Sequence, residues 1–167
     1  MEISIEKASN KDIPGLISLF KKCTQAMIND GVFQWNEDYP DQLEIAANVN
    51  NNEVWITAHN NQIVGTITLN QFESPEYESI NWTCDSFIVV HRLAVDPMHQ
   101  GNGIARRLMD FAENHCSTNS IKSVRLDTYT GNKRNLKFYH NRGYNKLGEV
   151  HFRGILDPFD CFEKLVK

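Results

Sequence analysis

The stretch from Val95 to Arg107 constrains the fold of this chain more than any other. A largely apolar segment, residues 87–95, ends at an Asp-Pro pair, two glycines follow at Gly101 and Gly103, and a helical pattern of apolar residues then begins. Glycines allow a sharp turn whose backbone N–H groups point into one concavity, and the start of a helix adds further unpaired N–H groups. This strand, loop and helix predict a site for a pyrophosphate.

Two known phosphate-binding patterns fit this loop poorly. The ATP-type loop requires Gly-Lys-Ser/Thr, which is absent. The dinucleotide fingerprint is matched only as Gly101-x-Gly103-x-x-Arg106, and five residues separate Val95 from Gly101, whereas that fingerprint follows its strand directly. Asp127 at the end of the next strand would stand in for the ribose-binding acid of that fingerprint. The loop spacing therefore disfavours a nicotinamide-type cofactor.

Composition excludes several classes of protein. The 167 residues are 41% hydrophobic and 23% charged, show no linker or repeat, and predict a single domain over residues 1–167. The formal net charge of -4 gives no reason to expect nucleic acid. The four cysteines lack the spacing of a disulfide framework or a zinc site, so no metal is expected. Without a signal-peptide pattern or a membrane-length apolar run, we expect a cytoplasmic protein that binds no membrane.

Periodicity along the chain predicts a mixed order of strands and helices. The N-terminal strand covers residues 2–7, Ser9 or Asn10 caps a helix, and a second helix begins near Asp41. A hairpin turns at Asn60-Asn61, and a polar, acidic loop occupies residues 70–81. The remaining elements are a strand over 87–95, a helix over 103–117, a strand over 121–127, a short helix capped by Asn132, and two strands within 144–166.

The glycine segment resembles the acetyl-CoA signature of the GNAT family of N-acetyltransferases. The residues that carry the resemblance are Gln100-x-x-Gly103-x-Ala105, after a strand that ends Leu93-Ala94-Val95. The resemblance implies a single α/β (α+β) domain: a mixed central sheet with helices on both faces, in which strands 4 and 5 splay apart. Strand 4 corresponds to residues 87–95 and strand 5 to residues 121–127.

A second segment supports the same family. Asn132 is followed by Asn135, by the Phe138-Tyr139 pair and by Gly143-Tyr144. The family usually has a small residue in place of Asn135, and a phenylalanine in place of Tyr144. These two departures leave the asparagine and the tyrosine of the pattern intact.

The resemblance implies that acetyl-CoA (coenzyme A) binds along strand 4 and the loop after it. The backbone of the strand end would pair with the pantetheine amides, the loop and helix start would hold the pyrophosphate, and the second segment would complete the site. The implied cofactor contacts are Leu93, Ala94, Val95, Gln100, Gly101, Asn102, Gly103, Ile104, Ala105, Arg106, Asn132, Asn135 and Phe138.

The implied reaction is direct attack of an amine on the thioester in a ternary complex. By the resemblance, Tyr139 protonates the departing thiolate. The general base is less clearly marked: His91 has a suitable intrinsic pKa and lies two residues before Leu93, on the same face of the strand. Asp85, Glu78 or a chain of waters are alternatives, and Cys84 is an alternative nucleophile.

The loop between the first two helices is expected to contact the acceptor amine. Phe33, Trp35 and Tyr39 lie there beside carboxylates, a combination that suits a cation, and Glu78 would line the opposite wall. The prediction is therefore an acetyltransferase for a small-molecule amine, as a monomer or homodimer. The alternatives are a protein N-terminal or lysine acetyltransferase, a non-catalytic CoA-binding domain and a nucleotide-binding module.

Overall fold

The computed structural model of the protein describes residues 4–152 and 154–167. Four α-helices are formed: α1 (Ile13–Asn29), α2 (Gln42–Asn50), α3 (Ile104–Thr118) and α4 (Lys133–Asn141). Seven strands accompany them: β1 (Glu6–Lys7), β2 (Val54–His59), β3 (Gln62–Asn70), β4 (Phe87–Val95), β5 (Ser123–Tyr129), β6 (Asn145–Val150) and β7 (Phe159–Leu165). None of the helices in the described ranges is both long enough and apolar enough to cross a membrane.

The strands form one mixed sheet in the order β1-β2-β3-β4-β5-β7-β6. β2 and β3 are an antiparallel hairpin, while β4 and β5 pair in parallel from Phe87 opposite Ser123 to Val89 opposite Arg125. β5 then pairs antiparallel with β7, which places Asp127 opposite Cys161. A parallel pair needs a crossover, and helix α3 lies between β4 and β5 in the chain. The predicted mixed α/β fold is confirmed.

The chain forms two compact units. The first comprises Met1–Leu69 and His91–Ala112. Its core joins α1, α2 and the hairpin: Leu16, Leu19 and Phe20 are buried on one side of α1, and they belong to the same apolar cluster as Ile45 of α2 and Ile56 of β2. These α1 positions follow the helical spacing that the sequence shows, so one apolar stripe of the helix packs against the core of the unit.

The second unit comprises Asn70–Val90 and Glu113–Lys167. Its interior combines strand residues with tyrosine rings: Leu126 and Phe162 are buried, and the rings of Tyr139 and Phe162 lie 6.1 Å apart. Arg125 is buried as well and is neutralised by Glu73 at 2.5 Å and by Glu163 at 3.5 Å. A buried guanidinium needs such partners because an unpaired charge in the interior is costly.

Most element positions agree with the sequence predictions to within a few residues. Asp41 caps α2 by accepting a hydrogen bond from the backbone of Leu43, and Asn132 caps α4 in the same way. The hairpin turns at Asn60 and Asn61, both in the left-handed region. The N-terminal strand is shorter than expected: β1 is only Glu6–Lys7, and residues 4 and 5 lie outside it. Residues 2 and 3 of the prediction lie outside the described residues.

Candidate functional site

The glycine loop, residues 96–103, lies in the first unit and is open along its glycines. Gly101 and Gly103 have φ angles of +84° and +77°, a region that L side chains rarely adopt. A Cβ atom at either glycine would meet no heavy atom within 4 Å. The two glycines are therefore required by the turn and not by crowding, and the space beside them is free for a ligand.

Helix α3 begins immediately after this loop. Its first internal turn closes with the N–H of Arg107 donating to the carbonyl of Gly103 at 3.1 Å, so the amides that precede Arg107 have no partner inside the helix. The side chains of Arg106 and Arg107 are exposed and form no ion pair with any residue in the described ranges. Free N–H groups, the positive end of the helix dipole and two guanidinium groups make this segment suitable for a pyrophosphate.

The loop is anchored at the end of β4. Asp96 caps the short 3-10 helix after it by accepting a hydrogen bond from the backbone of Met98 at 2.9 Å, and it also pairs with Lys22 at 3.0 Å. Burial tends to raise the pKa of this carboxyl, but the Lys22 and Met98 hydrogen bonds outweigh it and lower the pKa. The Cys23 thiol of α1 donates to the Val95 carbonyl at 3.3 Å. Helix α1 therefore holds the start of the loop.

Gly65 of β3 sets how closely α3 approaches the sheet. A Cβ there would lie 2.7 Å from Ile104, 3.2 Å from Leu108 and 3.0 Å from the Thr57 methyl group. Real Cβ atoms essentially never come as close to a neighbour as the first of these distances. The position of the first turn of α3, and with it the glycine loop, therefore depends on the missing side chain of Gly65. Sequence reasoning did not single out this residue.

Strand β4 carries a backbone irregularity next to the predicted pantetheine-binding positions. Arg92 has a φ angle of +49°, its side chain is buried, and its guanidinium pairs with Glu44 at 2.7 Å and donates to Asn48. Leu93 and Val95 are half-buried, as is His91. A residue in the left-handed region within a strand re-aims the residues beside it. The pairing with α2 thus fixes the backbone direction at Leu93.

In the second unit, a half-buried carboxyl lies beside a buried phenol. The Tyr77 hydroxyl donates to Asp127 of β5 at 2.6 Å, and Tyr77 is only 2% exposed. Burial raises the pKa of Asp127 from its ordinary value of 3.8 to about 6; the Tyr77 hydrogen bond opposes the rise and the charge of Glu76 adds to it. Asp127 therefore titrates close to neutral pH, as a proton acceptor should.

Tyr139 lies in the same unit, on helix α4. Its pKa is raised first by burial and then by the negative charge of Asp127, so the phenol keeps its proton. No described residue forms a hydrogen bond with the Tyr139 hydroxyl. The ring packs edge-on against Phe138 and Tyr144. Tyr139 is thus a phenol with a fixed ring and a proton available for donation.

The two asparagines predicted to contact the cofactor have structural duties at the start of α4. The Asn132 side chain accepts a hydrogen bond from the backbone N–H of Asn135 at 3.1 Å, which caps the helix. The Asn135 amide donates to the Thr128 hydroxyl at 3.4 Å. Their contact with a cofactor stays a prediction.

The residues predicted to contact the acceptor differ in exposure. Phe33 and Tyr39 are 62% and 40% exposed, and Glu78 is exposed on a 3-10 helix. Trp35 is buried in the core of the first unit, with its ring 5.5 Å from that of Phe20. Phe33, Tyr39 and Glu78 are accessible to an amine, whereas Trp35 supports the loop from beneath.

The pair of Tyr77 and Asp127 was not identified as a functional site from the sequence. Fifty positions separate the two residues, and no local motif joins them. The sequence suggested only one role for Asp127, as a substitute for the ribose-binding acid of the dinucleotide fingerprint. A carboxylate near the end of a buried parallel strand was the one available signal, because a charge there needs a partner or a shifted pKa.

A family model matches most of the chain. The family model described as "Acetyltransferase (GNAT) family" matches residues 14–144. No curated protein sequence matches the chain significantly.

Solved structures match over nearly the whole chain. A GNAT-family acetyltransferase from Streptococcus agalactiae 2603 is 20% identical with a TM-score of 0.84, and the match covers 99% of this chain and 96% of that one. One from Listeria monocytogenes 4b F2365 is 19% identical with a TM-score of 0.80, over 99% and 96%. The ribosomal-protein-S18-alanine N-acetyltransferase of Escherichia coli is 12% identical with a TM-score of 0.74, over 99% and 94%. At these identities the likeness concerns the fold.

Proposed function

Because the chain belongs to the acetyltransferase (GNAT) family, we propose that it transfers the acetyl group of acetyl-CoA to the amine of a small molecule. The observation that carries this proposal is the open glycine loop at the start of α3. The free N–H groups, the exposed Arg106 and Arg107, and the open space at Gly101 and Gly103 all fit a pyrophosphate. Acetyl-CoA supplies an acetyl thioester, which is activated toward amines.

The chain must then remove a proton from the acceptor, because an ammonium ion with a pKa of about 10 is not nucleophilic. We assign this role to Asp127, since its pKa of about 6 leaves it mostly ionised at pH 7 and basic enough to accept a proton. Tyr77 holds the carboxylate in one orientation through its hydrogen bond. His91, half-buried on β4, is the alternative base that the sequence suggested.

Tyr139 supplies the proton on the other side of the reaction. Its raised pKa keeps the phenol protonated throughout the physiological range, and the proton is not committed to a described residue. An ordinary thiol has a pKa of about 8.5, so the departing thiolate takes up a proton readily at neutral pH, and protonation makes it a better leaving group. The proposal thus gives the two residues complementary tasks: Asp127 accepts a proton and Tyr139 donates one.

A small-molecule acceptor is favoured by the segment between α1 and α2. Phe33 and Tyr39 present aromatic faces there, and Glu37 and Asp38 add carboxylates. Ring faces and carboxylates both attract an organic cation. A protein N-terminus or a lysine side chain has the same amine chemistry, and the acceptor assay distinguishes these substrates.

The test is acetyl transfer from acetyl-CoA, followed by the release of free thiol, over a panel of polyamines, amino acids, aminoglycosides and peptides. We expect turnover with at least one small amine and a much lower kcat/KM with peptides. Gly103→Glu should abolish acetyl-CoA binding in calorimetry, because it puts a side chain and a negative charge into the pyrophosphate space.

Gly154→Glu is the matched control. Gly154 also has a positive φ, of +84°, and open space around its Cβ position, so the backbone strain is comparable. The control should bind acetyl-CoA normally. Equal affinity in both variants would refute the assignment of the glycine loop, and turnover with peptides alone would refute the small-molecule acceptor.

A further inference from the structure

A cavity lies in the first unit, along helix α1. The cleft has a volume of about 750 Å³ and lies between α1, residues 36–42 and the buried Ile45 of α2. This volume falls within the range of small-molecule sites. We refer to it as the α1 cleft.

The α1 cleft is on a different side of α1 from the glycine loop. Its helical lining includes Ile17, Lys21, Thr24 and Ile28, which recur at intervals of three and four and so form one stripe. Lys22 and Cys23, which contact Asp96 and Val95, point to other sides of the same helix. The residues that line the cleft include none of the glycine loop. The cleft is therefore a separate site.

The floor of the cleft is apolar except for one hydroxyl group. Phe20 and Ile45 are buried there, at 4% and 3% exposure. Thr24 is 7% exposed, and no residue in the described ranges forms a hydrogen bond with its side chain. The hydroxyl is therefore available to a ligand in the cleft, both as a donor and as an acceptor. A ligand with a hydrogen-bonding group beside its apolar part would satisfy Thr24 while it covers Phe20 and Ile45.

The rim of the cleft carries unpaired negative charge. Glu37 and Asp38 line it, both are exposed, and neither carboxylate pairs with a residue in the described ranges. Asp41 also lines the cleft, but it caps α2, and Lys21 is the one basic residue of the lining. The charge of the rim therefore favours a cation.

We propose that the α1 cleft binds a small organic ammonium ion, with the hydrophobic part of the ligand on Phe20 and Ile45, its charge near Glu37 and Asp38, and a hydrogen bond to Thr24. Glu37 and Asp38 are also the carboxylates that the proposed function places near the acceptor, so as an acceptor site the cleft rests on that function, whereas the binding of an ammonium ion does not. The same chemistry suits an acceptor or a regulatory amine, and the experiment below distinguishes the two.

The probe is 2-phenylethylamine, with 2-phenylethanol as its neutral analogue. Both are titrated into the full chain without acetyl-CoA, and binding is followed by backbone amide NMR shifts. We expect the amine to shift the amides of Thr24 and Glu37 and the alcohol to bind several-fold more weakly. Thr24→Val should weaken binding about tenfold, the order expected for a hydrogen bond to a charged group. Its melting temperature should not fall, because the hydroxyl has no protein partner.

Two matched controls separate binding from general effects. Thr57→Val removes a buried hydroxyl without a described partner, in the same unit but outside the cleft, and should leave the affinity unchanged. Glu37→Gln with Asp38→Asn should weaken binding about three- to tenfold, as expected for two exposed ion pairs. Asp30→Asn removes a charge at the end of α1 outside the lining and should have no effect.

The proposal is overturned if the alcohol binds as tightly as the amine, or if Thr24→Val binds as tightly as the unmodified chain. Acetylation of the bound probe on addition of acetyl-CoA identifies the occupant as an acceptor. Binding without acetylation, while other amines are acetylated, identifies a regulatory site. If the unmodified chain binds the probe but transfers acetyl to no amine, the proposed function is refuted and this inference stands.

Discussion

Replacing Asp127 by asparagine should make the protein more stable and less active at the same time. Asp127 is half-buried on β5, and its carboxylate accepts a hydrogen bond from Tyr77 at 2.6 Å. Asparagine keeps an oxygen that can accept this hydrogen bond, and it removes the negative charge. The substitution therefore tests the charge of Asp127 without opening a cavity.

The size of the stability gain follows from the pKa shift. The pKa of Asp127 rises from 3.8 to about 6 on folding, chiefly because of burial. The folded state then binds the proton more tightly than the unfolded state, so the carboxyl lowers stability as pH rises from about 4 to about 6. Two pKa units correspond to about 3 kcal/mol at pH 7, a cost that Asp127→Asn removes. After the imperfect pairing of the new amide is allowed for, we expect a gain of about 1–3 kcal/mol.

Urea denaturation between pH 4 and pH 8 measures the first effect. The unmodified chain should lose stability between pH 4 and pH 6 relative to Asp127→Asn, and the difference should level off above pH 6. The second effect is measured as kcat/KM for the best amine. It should fall about 10²- to 10⁴-fold, the usual range for a lost general base, and the acid limb near pH 6 should disappear.

Tyr77→Phe provides a further check on the same pair. The Tyr77 hydrogen bond lowers the pKa of Asp127, so its loss should move the acid limb of kcat/KM to higher pH while activity at high pH is largely kept. If Asp127→Asn keeps its kcat/KM and its acid limb, Asp127 is not the base, and the same measurements on a His91→Gln variant test the alternative. If the difference in stability between the unmodified chain and Asp127→Asn does not change with pH, the shifted pKa itself is refuted.

The remaining predictions concern the acid, the helix seat and the acceptor loop. Tyr139→Phe should keep acetyl-CoA affinity but lower kcat about 10²- to 10⁴-fold, and the loss should shrink for an acyl donor with a more acidic thiol; an unchanged kcat where chemistry limits the rate removes Tyr139 from the mechanism. Gly65→Ala should destabilise the fold by about 1–3 kcal/mol in denaturation and weaken acetyl-CoA binding, because its Cβ would lie 2.7 Å from Ile104; unchanged binding would show that α3 does not set the glycine loop. Trp35→Ala should destabilise by about 3–5 kcal/mol, whereas Phe33→Ala should keep stability and raise the KM of the amine; the reverse pattern would exchange their roles.

Several elements of this protein were determined by short stretches of sequence. Asn60 and Asn61 adopt the left-handed conformation that a tight hairpin requires, and they stand between the two alternating runs that predicted it. Asp41 and Asn132 cap their helices as their positions indicated. The glycine loop also depends on residues within a few positions of one another. Such features are local because they depend on backbone conformation and on neighbouring N–H groups.

The chemistry of individual side chains was decided by the tertiary structure. Asp127 has a shifted pKa because the fold buries it and brings Tyr77 to it from fifty positions away, and a sequence contains no measure of burial. The same applies to Trp35, which stands in a loop sequence suited to an acceptor pocket but packs on Phe20 in the core. Nothing in the sequence distinguishes Thr24 from other helix residues. It lines a cleft only because residues 36–42 fold beside α1. Desolvation and cavity shape depend on residues far apart in the chain, and for that reason they appear only once the chain has folded.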